Sequence, residues 1–558
     1  MMKRLIGMAV VFGFAACSGD GEHHSGGGAG GASGNAGGGA AAGGMGASNL
    51  GGTTNAAGAA AAGAPDTPDG NAGDGSAAGG EGGMAPDVDP DAPAPATPNL
   101  TGLIPHSTKW MLVSLSSGLN APDDIQLLDL ETKQLTPANP DKTINVSGGL
   151  SPDERTYFFS NGNGAALSER IIHLEPNGFV PAHKLKDYEN IPGAYSVLSW
   201  SFDARFAMVA RGGGGIEVID MWLEKRVHNE DFSSIVASFA PAGYNFFYDA
   251  ALTDGYEPRY ARVTRNGASP IQKLPPDADR MVFDPSGTRL VYSLGQPLES
   301  QHIFVLSLAD GTTQELHAAE GEEIANGFGM LPLEDSVLVG VRPGPNGATL
   351  TRRVYLDAGK PWQKVSDFEV LYHADDNNLL LTRNFAEKTL ELIRVGPYAS
   401  RKLPLTYVDV NSFPLVGVVG SHVYYVAPDG LHLDSLSDAG ELRDLVVSTP
   451  GKAVSPCASE HGYYEPKQKF AFVEGDGEAL VLVDLTKEPP AIVSTVTAPV
   501  GLTVGCPQWG DGDTALAWST QAADKSTNIY ITRWTGAAPE TPSLALDKWV
   551  AIYALMYR

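Results

Sequence analysis

The sequence predicts an all-β fold, a β-propeller of four-stranded blades about 44 residues long, and three observations predict it. Short apolar runs of β-type residues recur between turn residues from about position 107 to the end of the chain, at a spacing of about 40–50 residues. No apolar pattern of helical period runs beyond about ten residues after the N-terminal segment. Gly and Ala crowd into the stretch before residue 100, which leaves roughly 450 of the 558 residues to fold, ample for a large core.

Taken in order, the chain opens with Lys3 and Arg4, and then Leu5 to Phe14 is apolar. That run is too short to span a bilayer, which takes about 20 residues, and suits the core of an export signal. Ala15 and Ala16 follow, and then Cys17. The segment Phe14-Ala15-Ala16-Cys17 resembles the bacterial lipobox, with Phe14 where Leu is commonest. The resemblance implies a signal peptide over residues 1–16, cleavage before Cys17 and a lipid on its thiol. It therefore implies a membrane partner, reached through a lipid anchor to which each buried methylene adds about 0.8 kcal/mol. In the enterobacterial sorting rule an Asp after the cysteine retains the protein at the inner membrane. Ser18 stands there, which implies the outer membrane and a location in the cell envelope facing periplasm or cell surface.

From Cys17 to residue 104 the chain is Gly-, Ala- and then Pro-rich, with almost no aromatic residue. Such a segment cannot bury enough apolar surface to offset its conformational entropy. It reads as a disordered tether with an r.m.s. reach of roughly 50 Å. His23 and His24 within it read as incidental.

The repeats occupy residues 105–558. The clearest unit begins at Ser151-Pro152-Asp153-Glu154-Arg155, a turn favoured by Pro and Asp, and continues into the strand Thr156 to Ser160 and a second strand at Ile171 to Leu174. Ser201-Phe202-Asp203-Ala204-Arg205 and Asp284-Pro285-Ser286-Gly287-Thr288-Arg289 repeat the layout. Weaker copies begin near Ala240, Leu333, Asp375, Gly420, Glu465 and Asp511, and a degenerate first copy near Trp110. One such unit cannot hide both its faces, so neighbours must stack. The turn Ser-Pro-Asp-x-Arg, followed by a strand of the Ile216-Glu217-Val218-Ile219-Asp220 type, resembles the WD40-like blades of TolB-type propellers. Roughly ten units exceed the usual four to eight blades, so the expectation is seven to ten blades in one ring, or two smaller rings. The apolar segment Trp549 to Tyr557 is expected to close the ring as a strand paired with N-terminal residues.

Three cysteines are present. Cys457 and Cys506 each precede a blade turn and are about one repeat apart, which makes a disulfide plausible beside the alternative of two separate buried thiols. The net charge of −27 repels phosphate backbones and argues against a nucleic-acid partner. There is no Gly-x-Ser-x-Gly elbow, His-Glu-x-x-His pair or phosphate loop, so no catalytic residue, metal site or cofactor is assigned. The acidic stretches Asp375–Asn378, Glu474–Glu478 and Asp511–Asp513 lack the ligand spacing of a calcium loop and read as hairpin turns. The expected function is a non-enzymatic binding or scaffolding module for protein, peptide or glycan. The alternative is a propeller enzyme, a lyase or glycoside-active, with its site in the central channel.

Overall fold

The computed structural model describes residues 91–557, apart from 117–123, 141–144, 186–194, 295–301, 407–415, 458–467 and shorter stretches. The described residues contain no helix and form ten antiparallel sheets. In chain order, blade 1 is built on residues 110–137, blade 2 on 145–184, blade 3 on 195–230, blade 4 on 237–273 and blade 5 on 278–316. Blade 6 covers 323–366, blade 7 369–406, blade 8 416–446, blade 9 454–497 and blade 10 502–549. Within a blade, strands that follow one another in sequence are neighbours in space. The outer strand of blade 4 and the inner strands of blades 6 and 10 are split in two.

Local chemistry makes each blade turn. In blade 2 the Ser151 hydroxyl donates to Asp153 Oδ1 (2.5 Å) and accepts from the Thr156 N–H (2.9 Å), while the Ser151 N–H reaches the Thr156 carbonyl (2.8 Å). Blade 3 repeats the bonds with Ser201, Asp203 and Phe206. In blade 5 Asp284 takes the place of the serine and accepts from the N–H groups of Thr288 and Arg289. The fourth residue of each turn is left-handed: Glu154 at φ 57°, Ala204 at 58° and Gly287 at 68°. The arginine that ends the motif in blades 2 and 3 reaches an acid at the end of its own third strand. Arg155 pairs with Glu175, and Arg205 donates Nε and Nη2 to Asp220 Oδ2 (3.0 and 2.6 Å). The motif thus ties the first hairpin of its blade to the third.

Alternation of side chains along each strand then gives two apolar faces per blade. In the strand Trp110–Ser116, Trp110 and Leu112 pack on Phe159, Ile172 and Phe179 of blade 2. Met111 and Val113 pack on Ala517, Ile529 and Ile531 of blade 10. The same two-sided arrangement continues around all ten blades, one buried cluster at each junction. The circuit closes on itself. The two smaller rings left open by the sequence are therefore replaced by one ring of ten, and the reason is this continuity of apolar faces. First strands of successive blades approach one another, as Asn145–Leu150 does Tyr195–Trp200, so they form the inner rim. Blade 1 takes its inner strand from the other end of the chain. Ala551–Tyr557 pairs antiparallel with Trp110–Ser116, as the sequence predicts.

Candidate functional site

Cys17, the signal segment and nearly all of the tether lie outside the described residues. Cys457 and Cys506 are joined in a disulfide with their Cα atoms 5.2 Å apart. Cys457 follows the inner strand Val454–Pro456 of blade 9, and Cys506 lies between the two halves of the inner strand of blade 10, Leu502–Val504 and Gln508–Gly510. The bridge therefore cross-links neighbouring blades at the inner rim. Of the acidic stretches, Asp375 to Asn377 and Asp511 to Asp513 lie outside the described residues. In the third, Glu474 accepts from the Thr449 N–H and hydroxyl (2.5 and 3.1 Å), and Glu478 faces Lys452 (2.8 Å).

Seven of the ten inner strands carry no charged residue: Asn145–Leu150, Tyr195–Trp200, Ala237–Phe239, Val416–Val419, Val454–Pro456, the split strand Leu502–Val504 with Gln508–Gly510, and Ala551–Tyr557. Several buried ionisable groups, Glu169 and Glu217 among them, lie instead on third strands, away from the inner rim. A cavity of about 440 Å³ also opens away from the inner rim, between Arg289, Ser307, Thr312 and Gln314 of blade 5 and Asp357 of blade 6.

Three polar groups with buried members stand out. Between blades 2 and 3, Glu169 and Glu217 are both buried. Burial, with the charge of Glu217 adding to it and the Ser160 hydroxyl opposing it, pushes Glu169 up to about 8. Glu217 Oε1 lies 3.3 Å from Arg226 and 3.6 Å from Arg211. At blade 8, facing blade 7, His432 stacks on Tyr425 with ring centroids 4.7 Å apart. Its two nitrogens meet Asp444 (2.7 Å) and Asp429 (3.0 Å). Beside them Asp434 is fully buried, and burial together with the Asp444 carboxyl pushes it up to about 8, so it holds a proton at neutral pH.

The third group, again between blades 2 and 3, joins His173, His183 and Glu224. His173 lies on the third strand of blade 2, Ala166–Glu175, and His183 on its outer strand, Gly178–Lys184. Glu224 ends the turn after Ile216–Asp220 in blade 3. Glu224 Oε1 lies 2.9 Å from His183 Nε2, 3.4 Å from His173 Nε2 and 3.0 Å from the Asn99 amide that donates to it. Against the pull of burial, these neighbours hold Glu224 down at about 2, and Glu224 in turn raises His183. Sequence reasoning passed over this group. The two histidines are ten positions apart on different strands, with a register shift between them, and the acid comes from another blade. The alternation of Glu169, Ile171, His173 and Glu175 on one strand face was the available signal.

The chain entering the ring is held as a strap. The Ala92 carbonyl accepts from Arg265 Nε (3.0 Å) in blade 4, and the Ala94 carbonyl from Arg205 Nη1 (2.6 Å) in blade 3. The Asn99 N–H donates to the Trp222 carbonyl (3.0 Å), and Ile104–Pro105 adds a fifth strand to blade 2 beside Phe179 and Gly178. All these partners except the fifth strand belong to hairpins on one face of the ring. The hairpins between second and third strands, and the loops between blades, lie on the other. At blade 4 that second face exposes Val236, Leu252 and Tyr256.

No family model matches the chain, and no curated protein matches it. The fold is similar to that of solved structures. A dihydro-heme d1 dehydrogenase, NirN, solved in complex with DHE, is 13% identical, covering 83% of this chain and 78% of its own, with a TM-score of 0.37. A eukaryotic initiation factor is 9% identical over 80% of this chain and 98% of its own, at a TM-score of 0.39. BamB from Moraxella catarrhalis is 13% identical over 58% and 93%, at 0.29. These are likenesses of fold and bear on nothing further.

Proposed function

We propose that this chain is a lipid-anchored lipoprotein of the cell envelope, delivered to the outer membrane, whose ring is a binding or scaffolding module for a protein, peptide or glycan. The observation that carries this reading is the strap. It crosses one face of the ring at blades 2 to 4 and leaves the hairpins and loops of the other face, Tyr256 among them, for a partner. Rigid blades hold such loops in place, as binding surfaces require. The uncharged character of most inner strands favours binding over chemistry in the channel. The anchor rests on Phe14-Ala15-Ala16-Cys17.

The anchor is tested by labelling cells with a palmitate analogue. The native chain takes up label and fractionates with outer membranes, and Cys17→Ala does neither; label on both chains, or on neither, removes the anchor from the reading. Binding is tested by presenting the purified chain to arrays of glycans and of envelope peptides. Binding weakened by Tyr256→Ala supports the free face, and binding indifferent to loops of that face refutes it.

A further inference from the structure

We propose that His173, His183 and Glu224 form a binding site for a divalent transition-metal ion of the zinc class at the junction of blades 2 and 3. The three side chains come from three separate elements, yet their ligand atoms all lie within 4.8 Å of one another. Four ligands at 2.0–2.1 Å around a tetrahedral zinc stand about 3.3–3.4 Å from each other. Glu224 Oε1 lies 3.4 Å from His173 Nε2 and 2.9 Å from His183 Nε2, so a small outward movement of one imidazole admits the ion.

The surroundings prepare the ligands. His183 Nδ1 is 2.9 Å from the Pro181 carbonyl, so it carries the hydrogen and leaves Nε2 directed at the carboxylate. Such a carbonyl is the usual outer partner of a metal-ligating histidine. Without metal, two acceptors would then face each other unless His183 holds a second proton, and a metal ion replaces that proton. His173 is wholly buried, and neither of its ring nitrogens makes a hydrogen bond of good geometry. A buried imidazole without a well-placed hydrogen bond, its Nε2 3.4 Å from a carboxylate and close to a second imidazole, is what coordination satisfies. Asn99 steadies the carboxylate from the strap.

The ligand set selects the ion. Two imidazoles and one carboxylate suit zinc, cobalt(II) or iron(II) over magnesium and calcium, which prefer all-oxygen sites. His183 and Glu224 are 32% and 11% exposed, so water completes the shell from that side. The other His-and-acid group, at His432, is different. Both nitrogens of that ring are already taken by Asp444 and Asp429.

The test uses the full chain with His23→Ala, His24→Ala and Cys17→Ser, which removes the leader's own ligands. Stripped of metal by a chelator, it is titrated with Co2+ alone and then with Zn2+ alone. One Co2+ per chain with the intense visible bands of four-coordinate cobalt, displaced by Zn2+, is expected, together with a higher thermal midpoint in Zn2+. His183→Ala and Glu224→Gln should lose the bands and the shift. Bands that never form, or that survive both substitutions, overturn the site. Should neither variant fold, modification of histidines by an acylating reagent, read by mass spectrometry with and without one equivalent of Zn2+, decides. Protection of His183 supports the site, and equal modification refutes it.

Discussion

Met111 pairs with Tyr557 across the seam of blade 1, so the first long strand of the ring and the last strand of the chain are neighbours in one sheet. Every other blade draws its four main strands from one continuous stretch, blade 2 adding only the short strand Ile104–Pro105 from the strap. Blade 1 cannot form until the whole chain has been threaded around the ring, and the seam is where closure is won or lost. Removing residues 546–558 should leave the edge of Trp110–Ser116 unpaired and abolish a single cooperative thermal transition. An unchanged melting profile would contradict the closed ring.

The blade turns offer a pair of opposite substitutions. Ala204 and Gly287 occupy equivalent left-handed positions, at φ 58° and 68°. Ala204→Gly relieves an L-residue of a conformation costing roughly 1–2 kcal/mol, and the flexibility it adds to the unfolded chain returns about 0.4–1. A small gain in stability is expected. Gly287→Ala does the reverse and also drives a Cβ to 2.0 Å from the Ala242 carbonyl oxygen. A loss of roughly 1–3 kcal/mol is expected, measured by denaturant titration.

The strap depends on Gly178. A Cβ there would stand 2.4 Å from the Ile104 carbonyl oxygen, inside the two-residue pairing that fixes the strap to blade 2. Gly178→Ala should leave the ring folded but open residues 91–106 to protease. Limited proteolysis with N-terminal sequencing reads the change, and protection equal to that of the native chain would place the strap's hold elsewhere.

Glu169 makes stability fall with rising pH. The folded chain keeps its proton up to about pH 8, whereas the unfolded chain releases it near 4.5. The folded state therefore binds more protons between these values, and the stabilisation complete below about 4.5 is lost as pH rises to about 8. Asp434, also raised to about 8, acts in the same direction. Glu169→Gln should match the native chain near pH 4 and exceed it near pH 9, by roughly a few kcal/mol at most. Parallel pH–stability curves for the two chains would show that Glu169 is ionised in the fold.

Reduction of Cys457–Cys506 releases a loop of 49 residues. In the chain-entropy account a loop of that length is worth about 4 kcal/mol. Cys457→Ser with Cys506→Ser should lower the thermal midpoint, and adding reductant to the double variant should do nothing more.

The blades were legible because their turns are local chemistry. Ser151, Ser201 and Asp284 announce themselves within five residues of the strand they cap. Even the copies that lost Pro, Asp or Arg begin where the structure has the first hairpin of a blade, near Leu333 and Gly420 for example. The roughly ten units counted in the sequence match the ten blades, but whether they close as one ring or two was not legible. It depends on how Met111 and Ala517, or Leu381 and Tyr425, meet across junctions that no local pattern encodes. The group at His173 was hidden for the same reason. Glu224 reaches it only because blade 3 stacks on blade 2, and Asn99 only because the strap crosses both.

The strap also decides where mechanical load goes. Tension arriving along the chain from before residue 91 meets Arg265, Arg205 and the short Ile104–Pro105 pairing in turn, before it reaches Trp110. These contacts are few and give way one at a time, like a zip fastener. The seam pairs six residues of Trp110–Ser116 with the terminal strand and would be strained only after the strap had peeled. Tension applied to the chain before residue 91 would therefore be taken first by the strap and only then by the seam of the ring.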